Sequence, residues 1–367
     1  MRSGGLHRTQ HTRRTPHTPG TRDGYALGMT PLLAAFIGLA YQPGTPAASK
    51  PSETPVATPT APAAPTKAPE STIFEPTATE VVASGLSFAE GPMYKADGTL
   101  VCCDIRGDAV YSIKPGDGSK DRKPGSGVET IKKPAGRPAG AALDAKGNLV
   151  LARFDGTVAR LSPTGEVEVL ADTFEGKKLN MPNDVIVARD GSVVFTDFGK
   201  GDGKASVGHF GVYRLDLSGA KPTLSLLTKD VTSPNGLALS GDGKTLYVAE
   251  YGNGTVKSFA VADGWTVSGG KALIELNAQT SEGKGKSTPD GVKVDAAGNV
   301  WTTGMGGLVV IDTGGKVIAN LKLAGASNFC FGGEDGKTVF ITAGKAIHSA
   351  RLKVAAIDPK KLPGATK

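Results

Sequence analysis

The hydrophobic and polar positions of this chain repeat one unit, in which an apolar strand, a glycine-rich polar turn and a second apolar strand follow one another. Six copies begin at Glu90-Gly91-Pro92, Arg137-Pro138-Ala139-Gly140, Pro182-Asn183-Asp184, Pro234-Asn235-Gly236, Pro289-Asp290-Gly291 and Asn328-Phe329-Cys330-Phe331-Gly332. The copies lie roughly forty to fifty-five residues apart, the length of a four-stranded propeller blade. The pattern predicts an all-β fold, a six-bladed β-propeller.

Local alternation predicts the strands inside each unit. Leu143–Leu151 and Leu239–Val248 each hold two apolar runs around a turn that contains glycine. Glycine supplies the positive φ of tight hairpins, and Val, Leu and Tyr suit a half-buried pleated surface. Few windows after residue 76 show the 3.6-residue period of a helix. Thr79–Ser84 precedes the first unit, and we expect it to close the ring beside residues 346–352.

Shifts in composition predict four segments. They are a basic leader with a signal-like apolar run (1–48), a linker rich in Pro, Ala and Thr (49–75), the propeller (76–358) and a C-terminal tail (359–367). The apolar run Met29–Tyr41 is too short to span a bilayer and follows basic residues, as in export signals. We expect a periplasmic or extracellular protein with a disordered N-terminal extension that could tether it. The alternative is a disordered tail with one apolar patch.

The charge balance does not indicate a nucleic-acid partner. Residues 1–28 hold five arginines and one aspartate, which is +4 of the formal +7 of the chain. The rest of the chain is therefore close to neutral for its length.

Several kinds of site are excluded by residue spacing. Cys102 and Cys103 are neighbours on a strand and point to opposite faces, so at most one could meet Cys330, and we expect buried free thiols. There is no Cys-x-x-Cys, no Gly-x-Ser-x-Gly and no complete phosphate loop. His209 and His348 cannot build a zinc triad by themselves.

The first positions of four units carry oxygen ligands instead. Equivalent positions of a propeller face the central channel, so Glu90, Asn183, Asn235 and Asp290 could converge there. Two carboxylates and two amides suit a hard divalent cation; we expect Ca²⁺, with Mg²⁺, Mn²⁺ or Zn²⁺ as alternatives. Taken singly, each residue could be an ordinary turn former, and only the shared register indicates a site.

At these residues the chain resembles the gluconolactonase/senescence-marker-protein (SMP-30) family of six-bladed propeller lactonases. The resemblance runs from about Leu86 to Leu352 and is carried by Ala89-Glu90-Gly91-Pro92, Leu179-Asn180-Met181-Pro182-Asn183-Asp184, Phe195-Thr196-Asp197, Ser233-Pro234-Asn235-Gly236-Leu237-Ala238 and Thr288-Pro289-Asp290-Gly291. It implies that Glu90, Asn235 and Asp290 hold a divalent metal. It also implies that Asn183 holds the metal or the substrate and that Asp290 is the general base.

The chain departs from this family near the channel mouth. The second unit reads Arg137-Pro138-Ala139-Gly140, where relatives commonly have Asn before Gly, and Leu151-Ala152-Arg153-Phe154-Asp155 follows it. Arg137 and Arg153 are candidates for substrate contact, or else solvent-facing charges. Because mouth loops set specificity, these changes leave the substrate open.

Two functions follow. The first is a metal-dependent hydrolase, a lactonase or related carboxylic ester hydrolase, that opens a sugar lactone by carbonyl polarisation and general-base activation of water. The alternative is a non-catalytic propeller that binds a carbohydrate or protein partner and uses the metal to join its blades. A strictosidine-synthase-like propeller fits less well, because it would leave the metal ligands without a role. The sequence does not predict the oligomeric state.

Overall fold

A computed structural model describes residues 72–115, 125–199, 205–279 and 287–364. These residues are almost entirely strands and turns, with three short 3₁₀ helices at Asp263–Trp265, Leu276–Gln279 and Pro359–Lys361. None of the helices within these ranges is long and apolar enough to cross a membrane. The predicted leader, export signal and most of the linker lie outside the described residues.

Six four-stranded antiparallel sheets form the blades of a β-propeller. Blade 1 contains β2 (Ala89–Tyr94), β3 (Leu100–Asp104), β4 (Ala109–Ile113) and β5 (Val128–Lys132). Blade 2 contains β6 (Pro138–Leu143), β7 (Leu149–Arg153), β8 (Thr157–Leu161) and β9 (Val167–Ala171). A small hairpin, β10 (Thr173–Phe174) and β11 (Lys177–Lys178), precedes blade 3, which contains β12 (Pro182–Val187), β13 (Val193–Asp197), β14 (Gly211–Asp216) and β15 (Thr223–Thr228).

The other three blades repeat this arrangement. Blade 4 contains β16 (Pro234–Leu239), β17 (Thr245–Glu250), β18 (Thr255–Ala262) and β19 (Thr266–Glu275). Blade 5 contains β20 (Val292–Val294), β21 (Val300–Gly304), β22 (Gly307–Ile311) and β23 (Val317–Lys322). Blade 6 contains β24 (Ala326–Gly332), β25 (Thr338–Ala343), β26 (Ala346–Arg351) and β1 (Glu80–Ser84). The predicted all-β, six-bladed fold is confirmed.

The hairpins form where the Asp and Gly pattern predicts them. In β6–β7, the Asp144 carboxylate accepts hydrogen bonds from the backbone N–H groups of Lys146 and Asn148, both at 2.9 Å. Gly147 takes a φ of +82° in the same turn, a conformation that disfavours other side chains. The aspartate side chain thereby accepts hydrogen bonds from two turn N–H groups, which stabilises the turn.

Blade 6 closes the ring with strands from both ends of the domain. β1 pairs antiparallel with β26, from Glu80 opposite Ser349 to Ser84 opposite Ala346, as predicted. Val82 of β1 is buried in a cluster with Cys102 of blade 1 and Phe340 of blade 6. The ring is therefore closed by backbone hydrogen bonds between β1 and β26 within blade 6 and by apolar contact between blades 6 and 1.

The core lies between neighbouring blades. Tyr94 of blade 1 stacks on Phe340 of blade 6 at 5.0 Å between ring centroids. The three cysteines are free and buried, with Cys102 and Cys330 in one cluster and Cys103 in another, so the predicted free thiols are confirmed.

Candidate metal centre and active site

Residues at or just before the start of the six innermost strands form a ring at one end of the channel. Equivalent contacts between blades set the register: the Gly236 N–H donates to the Asp290 carbonyl at 2.9 Å, and the Gly291 N–H donates to the Ser327 carbonyl at 2.8 Å. With the strand pairings, these contacts place six residues in one layer: Glu90, Ala139, Asn183, Asn235, Asp290 and Ser327. The predicted site residues therefore occupy four equivalent positions around the channel.

A second layer lies one residue further along each innermost strand, and we call it the lower layer. It contains Gly91, Gly140, Asp184, Gly236, Gly291 and Asn328. The sixth sequence copy is thus offset by one residue, because Ser327 rather than Asn328 lies level with Asp290. Pairing irregularities at this point in five blades mark β-bulges, which re-aim side chains next to functional sites.

Glycine in the lower layer lets the strands approach each other. A Cβ on Gly140 would lie 2.7 Å from the Asn183 carbonyl oxygen, and one on Gly236 would lie 2.6 Å from the Val292 backbone nitrogen. Both contacts are with backbone of the next blade, which cannot move aside locally. Glycine at Gly140 and Gly236 therefore allows the innermost strands of adjacent blades to approach closely at this level.

Glu90 and Asp290 bring two carboxyl groups into electrostatic contact. Glu90 is 5% exposed and its Oε2 accepts a hydrogen bond from the Gly91 N–H at 3.1 Å. Burial, helped by the Asp184 charge, raises the pKa of Glu90 to about 7. Burial also raises the pKa of Asp290 well above its usual value, with further contributions from Glu90 and Asp184 and opposition from Lys293. Two buried carboxylates with raised pKa values would be stabilised by a cation between them.

Asn235 supplies an oxygen without a partner. Its side chain is 3% exposed, and its Oδ1 atom has no hydrogen-bond partner within the described ranges. Its backbone carbonyl is held by the Thr196 hydroxyl at 2.6 Å, which fixes the residue at the start of β16. A buried amide oxygen left unpaired is costly, and a hard cation is one ligand that would satisfy it.

Asn183 lies half-buried in the same layer on β12. The described residues contain no group of three or more His, Cys, Asp or Glu side chains that could hold a metal ion. The candidate set has two carboxylates and two amides, and its donor chemistry together with the unpaired Asn235 oxygen fits a divalent cation.

Three buried acidic residues support this ring from the ends of the second strands. Asp104 accepts hydrogen bonds from the Ser87 and Phe88 N–H groups, at 2.7 and 2.8 Å. Asp197 accepts likewise from Asn180 and Met181, at 2.9 and 2.8 Å, and Glu250 accepts from Thr232 at 2.6 Å. Each carboxylate fixes the loop that leads into a ligand-bearing strand. All three residues end an apolar strand in the sequence, but only Asp197 was part of a motif that the sequence analysis quoted.

Blade 2 differs from the other blades in the channel layer and at the end of its second strand. Ala139 stands where the other five blades have a polar side chain, and Arg153 stands where blades 1, 3 and 4 have the supporting carboxylate. Arg137 is exposed, and its guanidinium lies 5.7 Å from the Phe154 ring. Arg153 forms an ion pair with Asp155. Both arginines lie at the ligand end of blade 2, and neither is drawn into the ring of ligands.

The sequence analysis did not assign to the site three residues that lie beneath the candidate ligands, namely Asp184, Lys293 and Asn328. The Lys293 ammonium lies 3.5 Å from both Asp184 Oδ2 and Asn328 Oδ1. Asp184 could have been found from its place after Asn183, whereas Lys293 reaches this layer only through the length of its side chain.

Comparisons with known proteins agree with this architecture. The chain is 28% identical to a gluconolactonase of Zymomonas mobilis, over 75% of this chain and 81% of that protein. It is 26% identical to the pentonolactonase XacC of Haloferax volcanii, over 72% and 84% of the two chains. The solved structure of a gluconolactonase from Xanthomonas campestris matches with a TM-score of 0.65 and 27% identity, over 77% of this chain and 91% of that one.

The family model described as the SMP-30/Gluconolactonase/LRE-like region matches residues 88–345, which span all six innermost strands. The chain belongs to the SMP-30/gluconolactonase/LRE-like family of six-bladed β-propellers.

Proposed function

We propose that this protein is a divalent-cation-dependent lactonase that opens a sugar lactone. The observation that carries the proposal is the arrangement of Glu90, Asn183, Asn235 and Asp290 in one channel layer, with the Asn235 Oδ1 atom buried and unpaired among the described residues. Two relatives in the same family are named gluconolactonase and pentonolactonase, which supports lactone hydrolysis at the family level.

The four residues would hold one cation through oxygen atoms. Their two negative charges match a divalent ion, and we expect Ca²⁺, with Mg²⁺, Mn²⁺ or Zn²⁺ as alternatives. When bound, the cation supplies Lewis-acid polarisation of the lactone carbonyl. With four protein ligands, a Ca²⁺ site of six to eight oxygens keeps positions for water and substrate.

Asp290 is the general base in this proposal. Water forms a bond to the lactone carbonyl carbon and gives one proton to the Asp290 carboxylate. The ring ester C–O bond then breaks, the leaving oxygen takes the proton back from the Asp290 carboxyl group, and the product is a hydroxy acid. The position of Asp290 is fixed by its own N–H, which donates to the Thr303 hydroxyl at 3.0 Å, and by its carbonyl, which accepts from Gly236.

Substrate contact is assigned to Asn183 and to Arg137. Asn183 is half-buried in the ligand layer, and Arg137 lies exposed two residues before the apolar Ala139. A guanidinium at this position would donate hydrogen bonds to the hydroxyl groups or to an acidic substituent of a sugar lactone.

The proposed base is tested with Asp290→Asn. General-base help contributes about 10²–10⁴-fold, so we expect at least about a hundredfold loss of turnover on the best substrate of a sugar-lactone panel. Hydrolysis is measured by the release of protons. Asp335→Asn, at an exposed carboxylate, is the control and should keep the parental turnover. Near-parental turnover in Asp290→Asn would refute the assignment. A folded, cation-binding wild type that is inert on every lactone would favour the non-catalytic binding propeller.

We also propose export, on the basis of the apolar run Met29–Tyr41 and the basic residues before it. Mass spectrometry of the exported protein should find an N-terminus after this run. An intact Met1 or Met29 in that fraction would contradict a cleaved signal.

A further inference from the structure

An ion pair lies directly beneath the proposed cation ligands. The Lys293 ammonium lies 3.5 Å from Asp184 Oδ2, and it donates to the Val292 carbonyl at 3.0 Å and to Asn328 Oδ1 at 3.5 Å. The Asp184 side chain is 4% exposed and that of Lys293 is 26% exposed. The ammonium therefore has three oxygen acceptors, drawn from blades 3, 5 and 6.

Asp184 extends this connection to blade 4. Its Oδ1 accepts from the N–H of Val185 at 2.9 Å, and its Oδ2 accepts from the N–H of Leu237 at 3.3 Å. One carboxylate thus joins blade 3 to blade 4 through Leu237 and to blade 5 through Lys293. The hydrogen bonds between paired strands lie within single blades, whereas this carboxylate connects different blades across the channel.

Each anchor of the pair is close in sequence to a proposed ligand. Asp184 follows Asn183 directly, Leu237 comes two residues after Asn235, and Lys293 comes three residues after Asp290. Movement of the pair would therefore change the separations among three ligands on three blades.

Packing alone does not hold the Asp184 and Lys293 side chains. A cavity of about 750 Å³ opens on the side away from the ligands, and Asp184, Lys293 and Asn328 line it together with apolar residues of the innermost strands. Because this space is open, the ionic and hydrogen-bond contacts are what keep the two side chains at the level of the lower layer.

We propose that Asp184 and Lys293 are a positioning pair that sets the separations of Asn183, Asn235 and Asp290 and thereby the cation affinity, without touching the cation. The inference rests on the proposed function, which supplies those ligands. Residues behind a metal-binding shell commonly change metal affinity by about 10- to 100-fold. The two charges of the pair cancel, so the charge of the ligand set stays at that of Glu90 and Asp290.

This cancellation allows a test in which net charge is constant. The double variant Asp184→Asn with Lys293→Met removes the ion pair in the full chain but leaves its net charge and nearly its volume unchanged. Calorimetric titration of the metal-stripped protein with Ca²⁺ should give a Kd raised by about tenfold or more. The matched control is the double variant Asp144→Asn with Arg160→Met. These two side chains lie 3.4 Å apart, are 12% and 25% exposed, and are remote from the ligand layer. The control variant should bind Ca²⁺ with the Kd of the wild type.

The outcomes separate this inference from the proposed function. A wild type that binds no Ca²⁺ would contradict the proposed cation site itself. A wild type that binds Ca²⁺ and a double variant that binds it equally well, even with a lower Tm, would show that the pair only stabilises the fold and would overturn the inference. If the double variant melts below the titration temperature, Asp184→Asn alone takes its place, and an unchanged Kd there would overturn the inference equally.

Discussion

At the level of single residues, the site combines buried polar groups that a bound cation would stabilise. Burial raises the pKa values of Glu90 and Asp290, the Glu90 charge raises that of Asp290 further, and the buried Asn235 Oδ1 has no partner in the described part of the chain. Each of these features costs free energy in the metal-free protein. Binding of a cation would remove all three costs, which links cation affinity to folding stability.

This linkage predicts how stability depends on pH. The pKa of Glu90 is raised from 4.5 to about 7 in the folded protein, so protonation of this carboxyl group favours the folded state. This contribution to stability is fully present below pH 4.5 and is lost as the pH rises through 7. One pKa unit corresponds to about 1.4 kcal/mol, so the loss is on the order of 3 kcal/mol. With a chelator, Tm should fall as the pH rises across this range, and excess Ca²⁺ should remove most of the fall.

Glu90→Gln isolates this contribution, because it cannot titrate. The chelated variant should lose most of the downward trend in Tm that the wild type shows. The same slope in both proteins would show that Glu90 is not the titrating group.

At the scale of elements, the start of each innermost strand determines whether the ligands meet. A bulge brings two successive layers into the channel, a glycine in the lower layer allows close approach, and a carboxylate at the end of the second strand fixes the incoming loop. These three devices recur in several blades, so the ligand ring follows from the repeat rather than from any one loop.

Gly236→Ala tests the close approach. The new Cβ would meet backbone atoms of Asp290 and Val292, and overpacking of this kind costs about 1–3 kcal/mol. We expect a lower free energy of unfolding and weaker Ca²⁺ binding. Gly241→Ala is the control, since a Cβ there meets nothing within 4 Å. Equal stability of the two variants in denaturant titrations would contradict the proposed role of the glycine layer.

At the scale of the whole molecule, ring closure makes the channel site possible. The ligands come from blades 1, 3, 4 and 5, and blade 6, which separates blade 5 from blade 1, is completed by β1 from the N-terminal side. Val82 of that strand packs in the apolar cluster shared by blades 6 and 1. We therefore expect the arrangement of the proposed ligands to depend on a strand that contributes none of them.

Val82→Asp tests this dependence. Val82 is 4% exposed in the core between blades 6 and 1, whereas Val81 on the same strand is 49% exposed. A buried unpaired carboxyl costs several kcal/mol, so we expect Val82→Asp to lower Tm strongly and Val81→Asp to change it little. Similar melting curves for the two variants would show that β1 is dispensable for closure.

The sequence predicts the fold well because each blade carries its own hairpin turns, and the closing strand was identified from its place before the first unit. It also predicts which four residues share a register. It does not predict that Ser327 rather than Asn328 is level with Asp290, because a one-residue bulge leaves no mark in the hydrophobic pattern. Nor does it predict that Lys293 meets Asp184, since the two lie 109 residues apart and on different blades.

Cation dependence is tested by measuring cation occupancy and turnover in the same sample. Metal-stripped full-length protein is titrated with Ca²⁺ by calorimetry, and hydrolysis of the best sugar lactone is measured at each point. The proposed site predicts one bound ion per chain and a turnover that rises in proportion to its occupancy from essentially zero. Full turnover before any ion is bound, or saturation of the site without hydrolysis of any lactone, would contradict a cation-dependent lactonase.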